Sequence, residues 1–215
     1  MDDHPLVREG IAQWIHRAPD LKVCGESDNA ADALRLVEKL KPDLVLTDIS
    51  LPGRHGIELI KDLRSFHPDL PVLVLSMHDE SLYAGRALRA GARGYLMKRE
   101  GGARLLQGIH EVLRGRVVVS PEMSTQLLEE YSGRSSRAKH SLLPQLSDRE
   151  FEVFQLLGEA RTNREIAEQL HLSPKTVETH RLNLMRKLKV NNPAEAMRLA
   201  LQFVEKASVG TTGGL

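Results

Sequence analysis

Over its first 119 residues the chain alternates short apolar runs with stretches of helical periodicity, and few folds accept that pattern. Strands are expected at 21–24, 43–47, 72–76 and 94–97, and helices at 5–17, 29–40, 56–67, 80–90 and 103–114. Leu44-Val45-Leu46 and the run VLVLS (72–76) are apolar enough to be buried on both faces of a parallel sheet. Asn29 followed by Asp32 marks a helix start, with a side-chain cap and an acid in the first turn. Alternation with short loops implies a doubly wound α/β layer structure, whose ligands bind beyond the carboxyl ends of the strands. Asp48 stands at such an end, and Pro52-Gly53 break the chain soon after. One element is missing from the pattern. The chain opens directly on a helix, preceded by Asp2-Asp3 where the loop after a first strand would lie.

Beyond residue 119 the pattern changes. Ser120-Pro121 opens a short helix, and SGRSSRAKHS (132–141) reads as a polar linker, so 120–143 forms a connector. Residues 144–207 carry only helical signals: a capping box at Ser147 and Glu150, a helix near 163–170, another from Ser173-Pro174 to about Leu188, and a fourth opened by Asn192-Pro193. The tail 208–215 is expected to be disordered.

The totals set limits. At 215 residues and 41% apolar content the chain can bury one large core or two small ones. It has no apolar run long enough to cross a membrane and no signal-peptide pattern at its acidic N-terminus. A single cysteine, Cys24, excludes an internal disulfide and fits a cytoplasmic location; in an apolar strand it should be buried and inert. The formal net charge of +1 does not point to nucleic acid. The local balance is different, since Lys175, Arg181, Arg186, Lys187 and Lys189 share residues 175–189 with only Glu178.

Successive strand ends gather one kind of chemistry. Asp48, Ser76 and Lys98 end three strands, and Asp2 and Asp3 occupy the adjoining loop position. Singly, each is an ordinary cap or surface residue. Together they supply a carboxylate nucleophile, acids for Mg²⁺, a hydroxyl and an ammonium, which is the set phosphoryl transfer needs.

The stretches DDHPLVREGI, LVLTDISLPG, VLVLS and ARGYLMK resemble the receiver domain of bacterial two-component response regulators. The resemblance covers about residues 2–119 and implies a flavodoxin-like (CheY-like) receiver. It also implies Asp48 as phosphoacceptor, and Asp2, Asp3, Asp48 and the Ser50 carbonyl as Mg²⁺ ligands, Asp3 being the more direct of the acidic pair. Ser76 and Tyr95 become the switch residues, Lys98 the phosphoryl-sensing lysine, and a histidine kinase the phosphoryl source. Two departures concern the fold. Arg54-His55 stand where the family more often has apolar and acidic residues, and read as a solvated loop. The strand that the family places centrally, between 21–24 and 43–47, is absent, and each backbone group left unpaired there costs about 1–3 kcal/mol. Met1 stands where that strand usually ends on an apolar residue, so the recorded start is expected to be too late, with further apolar codons upstream.

In the second half, Ile166, Ala167 and Leu170 share one apolar face, and Val177, Leu184 and Leu188 another, across a tight turn at His171-Leu172. Two short helices joined this way suit a helix-turn-helix whose second helix enters the major groove, although a plain helical hairpin fits the pattern too. The blocks LSDREFEVF, TNREIAEQL, SPKTVETHRLNLMRKLKV and NNPAEAMRLA resemble the LuxR-type helix-turn-helix, an all-α four-helix domain. With the receiver, they make the chain similar to NarL/FixJ-class response regulators. That resemblance implies Lys175 and Lys187 as phosphate contacts, and Glu178, Thr179, Leu182 and Asn183 near base edges. Thr176, His180 and Arg186 complete the DNA-facing set. The last helix, 193–207, both packs on the bundle and supplies a homodimer contact. Ala160 replaces a glycine common in the family's turn.

The expected function is a DNA-binding regulator switched by phosphorylation of Asp48. The alternative is a regulator with a non-functional receiver that binds DNA regardless. A phosphatase of the haloacid dehalogenase class is disfavoured because its second acid would stand at Ser50, and a nucleotide-dependent enzyme because no GxGxxG or Walker pattern is present.

Overall fold

The computed structural model describes residues 1–52, 54–132 and 143–209. These fall into two compact units, Met1–Tyr131 and Ser132–Leu215. The polar linker and the tail lie almost wholly outside the described residues.

The first unit alternates as the sequence predicts. Helices α1 (Pro5–His16), α2 (Ala30–Leu40), α3 (Gly56–Phe66), α4 (Glu80–Ala90), α5 (Gly101–Leu113) and α6 (Pro121–Tyr131) frame strands β1 (Val45–Thr47), β2 (Val72–Ser76) and β3 (Gly94–Met97). The helix starts have local causes. Asn29 accepts from the Asp32 N–H at 2.9 Å, and Asp79 accepts from the Ser81 N–H at 2.9 Å. Among the described residues the strands form one parallel sheet in the order β1-β2-β3. The register pairs Thr47 with Val74 and Ser76 with Met97, so the strands share one carboxyl edge, β1 stopping two residues before β2. β2 and β3 are buried along their whole length. Leu73, Leu75 and Leu96 join Ile15, Ile109 and Val112 in a core under α1 and α5. α6 belongs to this unit: its Met123 is buried, and the Ser120 N–H donates to Glu80 of α4 at 2.8 Å.

The strand expected at 21–24 does not form. A strand exists only where a neighbour completes its ladder. In the slot beside it, the described pairing comes from Met1 and Asp2. The Met1 amine donates to the Leu46 carbonyl (2.9 Å), the Asp48 N–H donates to Met1 (3.1 Å), and the Asp2 N–H donates to Ser27 (3.2 Å). Leu21 and Val23 still pack on the core, whereas Lys22 and Cys24 face outward. Cys24 is therefore exposed, not buried as the strand reading required.

Among the described residues the second unit has four α-helices: α7 (Asp148–Gly158), α8 (Asn163–Gln169), α9 (Pro174–Leu188) and α10 (Pro193–Val209). Ser147 and Glu150 form the expected capping box, and Thr162 and Glu165 form a second one on α8. Ile166, Val177 and Leu184 are buried between α8, α9 and α7. Arg149 is buried, pairs with Glu152 at 2.7 Å and donates to the Leu170 carbonyl at the end of α8 (3.1 Å), meeting an acceptor the helix leaves open. Gly158 admits α10 closely, because a Cβ there would lie 2.4 Å from the Ala200 carbonyl. Phe203 of α10 meets Phe151 and Phe154 at 5.8 and 5.7 Å between centroids.

Candidate functional site

The shared carboxyl edge of the sheet carries Asp48, Ser76 and Lys98. Asp48 is almost fully buried, and its Oδ1 accepts from the N–H groups of Ile49 (2.6 Å) and Ser50 (3.4 Å). Its Oδ2 meets Lys98 Nζ at 2.5 Å, and the same ammonium lies 2.6 Å from Asp2 Oδ2. Asp2 is as buried as Asp48, while Asp3 is half-buried with its Oδ1 2.8 Å from His4 Nδ1. Burial alone would push the Lys98 ammonium down, but attraction to Asp48 and Asp2 outweighs it and holds the pKa above the ordinary lysine value. The lysine thus stays charged.

Ser76 is fully buried, and its Oγ accepts from the His78 N–H at 3.3 Å. Tyr95, also buried, donates its hydroxyl to the His78 carbonyl at 2.8 Å. Burial drives the Tyr95 phenol far above its usual pKa, so it serves as a donor at any working pH.

The donor set fits Mg²⁺. Asp2, Asp3 and Asp48 against Lys98 leave the pocket with net negative charge, and the ligands on offer are hard oxygens. Ligand atoms of Asp2, Asp3 and His4 lie within 4.8 Å of one another.

Three residues that sequence reasoning missed shape this edge. His55 is buried and caps α3, its Nδ1 accepting from the Ile57 N–H at 3.0 Å, which corrects the reading of Arg54-His55 as a solvated loop. Arg54 is tied down as well, 2.6 Å from Asp62. Gly56 packs directly beneath Asp48: a Cβ there would stand 2.2 Å from the Asp48 carbonyl. His78 joins Ser50 Oγ through its Nε2 at 2.7 Å. Only Gly56 had a readable signal, a glycine at a helix start eight residues after the acid.

In the second unit, α9 turns Lys175, Glu178, Thr179, Leu182 and Arg186 to the exterior. Leu182 is 60% exposed. Thr176, His180, Asn183 and Lys187 are half-buried along the same helix. Arg186 donates to Asn183 at 3.2 Å. Two of the cations are already engaged: Lys187 with Glu150 (2.6 Å) and Arg181 with Asn163 (2.5 Å). The family's turn is strained at Ala160, which sits at φ 59°.

Comparison with known proteins agrees with both units. The family of the response regulator receiver domain matches residues 1–110, and the luxR family of bacterial regulatory proteins matches 144–200. The transcriptional regulatory protein DegU of Brevibacillus brevis is 34% identical, over 92% of this chain and 89% of its own length. The nitrate/nitrite response regulator NarL of Escherichia coli K12 is 35% identical, over 91% and 90%. RcsB of Salmonella enterica serovar Typhimurium, solved bound to promoter rprA, superposes with a TM-score of 0.59 at 28% identity, over 92% of this chain and 94% of RcsB. The chain belongs to the NarL/FixJ class of response regulators, with a receiver followed by a LuxR-type helix-turn-helix. Proteins of this class are DNA-binding transcriptional regulators of two-component systems, not turnover enzymes. No helix among the described residues is long and apolar enough to cross a membrane.

Proposed function

We propose that Asp48 accepts a phosphoryl group from the phosphohistidine of a histidine kinase and that the resulting acyl phosphate controls DNA binding by α9. The observation that carries this reading is the Lys98 ammonium held between Asp48 and Asp2 in a buried pocket. A carboxylate oxygen of Asp48 attacks phosphorus, the P–N bond to the kinase imidazole breaks, and the imidazole leaves with the electron pair and takes up a proton. Asp2, Asp3, Asp48 and the Ser50 carbonyl would hold Mg²⁺, which would supply positive charge to offset that of the transferring group. Lys98 turns from Asp48 to a phosphoryl oxygen, and Ser76 donates to another.

In this reading Tyr95 and Ser76 report the phosphoryl group to the 76–78 segment and so to α4. Two states exchange, and phosphorylation favours the one that binds DNA. Lys175 and Lys187 contact phosphates, with Glu178, Thr179, Leu182 and Asn183 near base edges and Thr176, His180 and Arg186 flanking them. A homodimer reads two half-sites, as is common for helix-turn-helix proteins. The protein acts in the cytoplasm, where its DNA is. The receiver is taken to run over 1–119, the connector over 120–143 and the DNA-binding domain over 144–207.

The test is labelling by acetyl phosphate with Mg²⁺ present. Asp48→Ala should abolish it, and labelling that persists would refute the assignment. DNA affinity measured at one stated salt concentration, with and without the donor, checks the coupling. Equal affinities would favour the phosphorylation-independent alternative.

A further inference from the structure

His78 is held from four sides. Its Nε2 and Ser50 Oγ are 2.7 Å apart, its N–H donates to Ser76, its carbonyl accepts from Tyr95, and its ring lies on Tyr83 with 4.7 Å between centroids. Tyr83 belongs to α4 and is fully buried, with the His55 ring stacked at 6.4 Å and 19°. Ser50 stands two residues beyond Asp48, and His78 two beyond Ser76. The Ser50–His78 hydrogen bond therefore ties the loop after β1 to the loop after β2, beside the proposed phosphoacceptor.

We propose that this hydrogen bond is a latch that holds the resting receiver closed and must open before Ser76 can bond a phosphoryl group on Asp48. His78 is then a positioning residue that acts through the loop it anchors. The physical argument has two parts. In the proposal the 76–78 segment moves relative to the Asp48 loop as the Ser76 hydroxyl, which accepts from the His78 N–H at 3.3 Å, turns to the added phosphoryl group, and the Ser50–His78 bond fixes the spacing of those two segments. The second part concerns transmission. Once Ser50 lets go, the imidazole still packs on Tyr83, so motion of the loop passes to α4, and α4 holds the start of α6 through Glu80 and Ser120. The latch thus sets how readily the pocket accepts a phosphoryl group and couples that step to α6, the last helix of the first unit.

The inference rests on Asp48 being the phosphoacceptor, and the experiment separates the two. Full-length protein, Ser50→Ala, His78→Phe and the double variant are labelled with acetyl phosphate under identical Mg²⁺, and initial rates are compared. Phenylalanine keeps a ring on Tyr83 and removes the hydrogen bond; alanine at 50 keeps the backbone carbonyl. Each single variant should label about fivefold faster, the rate equivalent of one hydrogen bond. The double variant should be no faster than either single, because both remove the same bond. Ser50→Thr, which keeps a hydroxyl, should label more slowly than Ser50→Ala, a rescue that general loosening of the fold would not produce. If His78→Phe lowers the thermal midpoint, Ser50→Ala with its threonine rescue decides alone. Unchanged or slower labelling in Ser50→Ala, or rates that multiply in the double variant, overturns the latch. Wild-type protein that takes no label overturns the phosphoacceptor reading instead.

Discussion

Removing the Lys98 ammonium tests the electrostatics of the pocket most directly. Asp48 and Asp2 are 5% and 1% exposed, and both bond the same Nζ, so their facing oxygens are no more than about 5 Å apart. Without the cation they repel by about 3 kcal/mol at an effective dielectric near 20. Breaking a buried ion pair from one side costs about 3–5 kcal/mol in general, which brackets the same figure. Lys98→Met, which keeps the apolar stem, should therefore destabilise the receiver by about 3–5 kcal/mol at neutral pH in chelator. Mg²⁺ should return part of that, about 2.7 kcal/mol at a hundred times its dissociation constant. The lone tryptophan, Trp14, lies in α1 with Arg17 over its ring at 4.4 Å, so its fluorescence during urea unfolding reports the first unit by itself. A loss below about 1 kcal/mol, with no response to Mg²⁺, would show the carboxylates to be solvated and the reasoning wrong. In the wild type the sign is fixed by the raised lysine pKa. Its contribution is complete below the unfolded value near 10.4 and fades as pH rises through the higher folded value.

Other expectations concern single residues. Gly56→Ala should cost about 1–3 kcal/mol in the same urea assay and slow labelling, because the methyl would push the Asp48 carbonyl; a neutral result would show that the loop yields freely. Ala160→Gly should stabilise the DNA-binding domain by about 0.5–1 kcal/mol, visible in the far-ultraviolet thermal transition, since glycine accepts φ 59° without strain. Burial would raise the Glu150 carboxyl, but its bonds from Lys187 and Ser147 outweigh that and hold its pKa below the usual range. Its contribution is thus complete above about pH 4.3 and lost as pH falls through the folded value; Glu150→Gln should flatten that limb of an acid titration. The same substitution frees Lys187, so DNA affinity should rise and the logarithmic salt slope steepen by about one unit, measured by fluorescence anisotropy; an unchanged slope means Lys187 touches no phosphate.

What the sequence disclosed follows a physical division. β2 and β3 form over the predicted residues because a strand buried on both faces must be apolar throughout, and that pattern is local. The segment 21–24 carries a similar signal, yet a strand is a property of a pair, and the partner ladder there consists of Met1 and Asp2. The exposure of Cys24 follows from that single fact. Asp48, Ser76 and Lys98 were legible because parallel register carries strand ends to one place. The Ser50–His78 hydrogen bond was not: 28 residues separate its partners, and no spacing rule connects two loops that only the tertiary fold apposes. Lys187 shows the converse. Its charge was visible in the helix, but Glu150, readable only as a capping residue, also claims it.

The two units hold their charges for different ends. In the DNA-binding domain, Arg149 satisfies Glu152 and an open helix carbonyl, and Glu150 satisfies a cap and Lys187, so buried charge there is matched by hydrogen bonds that position α8 and α9. In the receiver, the buried carboxylates of Asp2 and Asp48 share the Lys98 ammonium, and the half-buried Asp3 lies beside Asp2 and His4, a clustering of acids that costs stability. A pocket built for stability would have one acid fewer. In the proposed function that excess would draw a divalent cation, and the cation would let a dianionic phosphoryl group approach a carboxylate. Replacing Asp3 by asparagine should therefore raise the stability of the metal-free receiver while weakening Mg²⁺-dependent labelling. That opposite movement of two readouts distinguishes a functional acid from a merely tolerated one; a fall in both would mark Asp3 as structural.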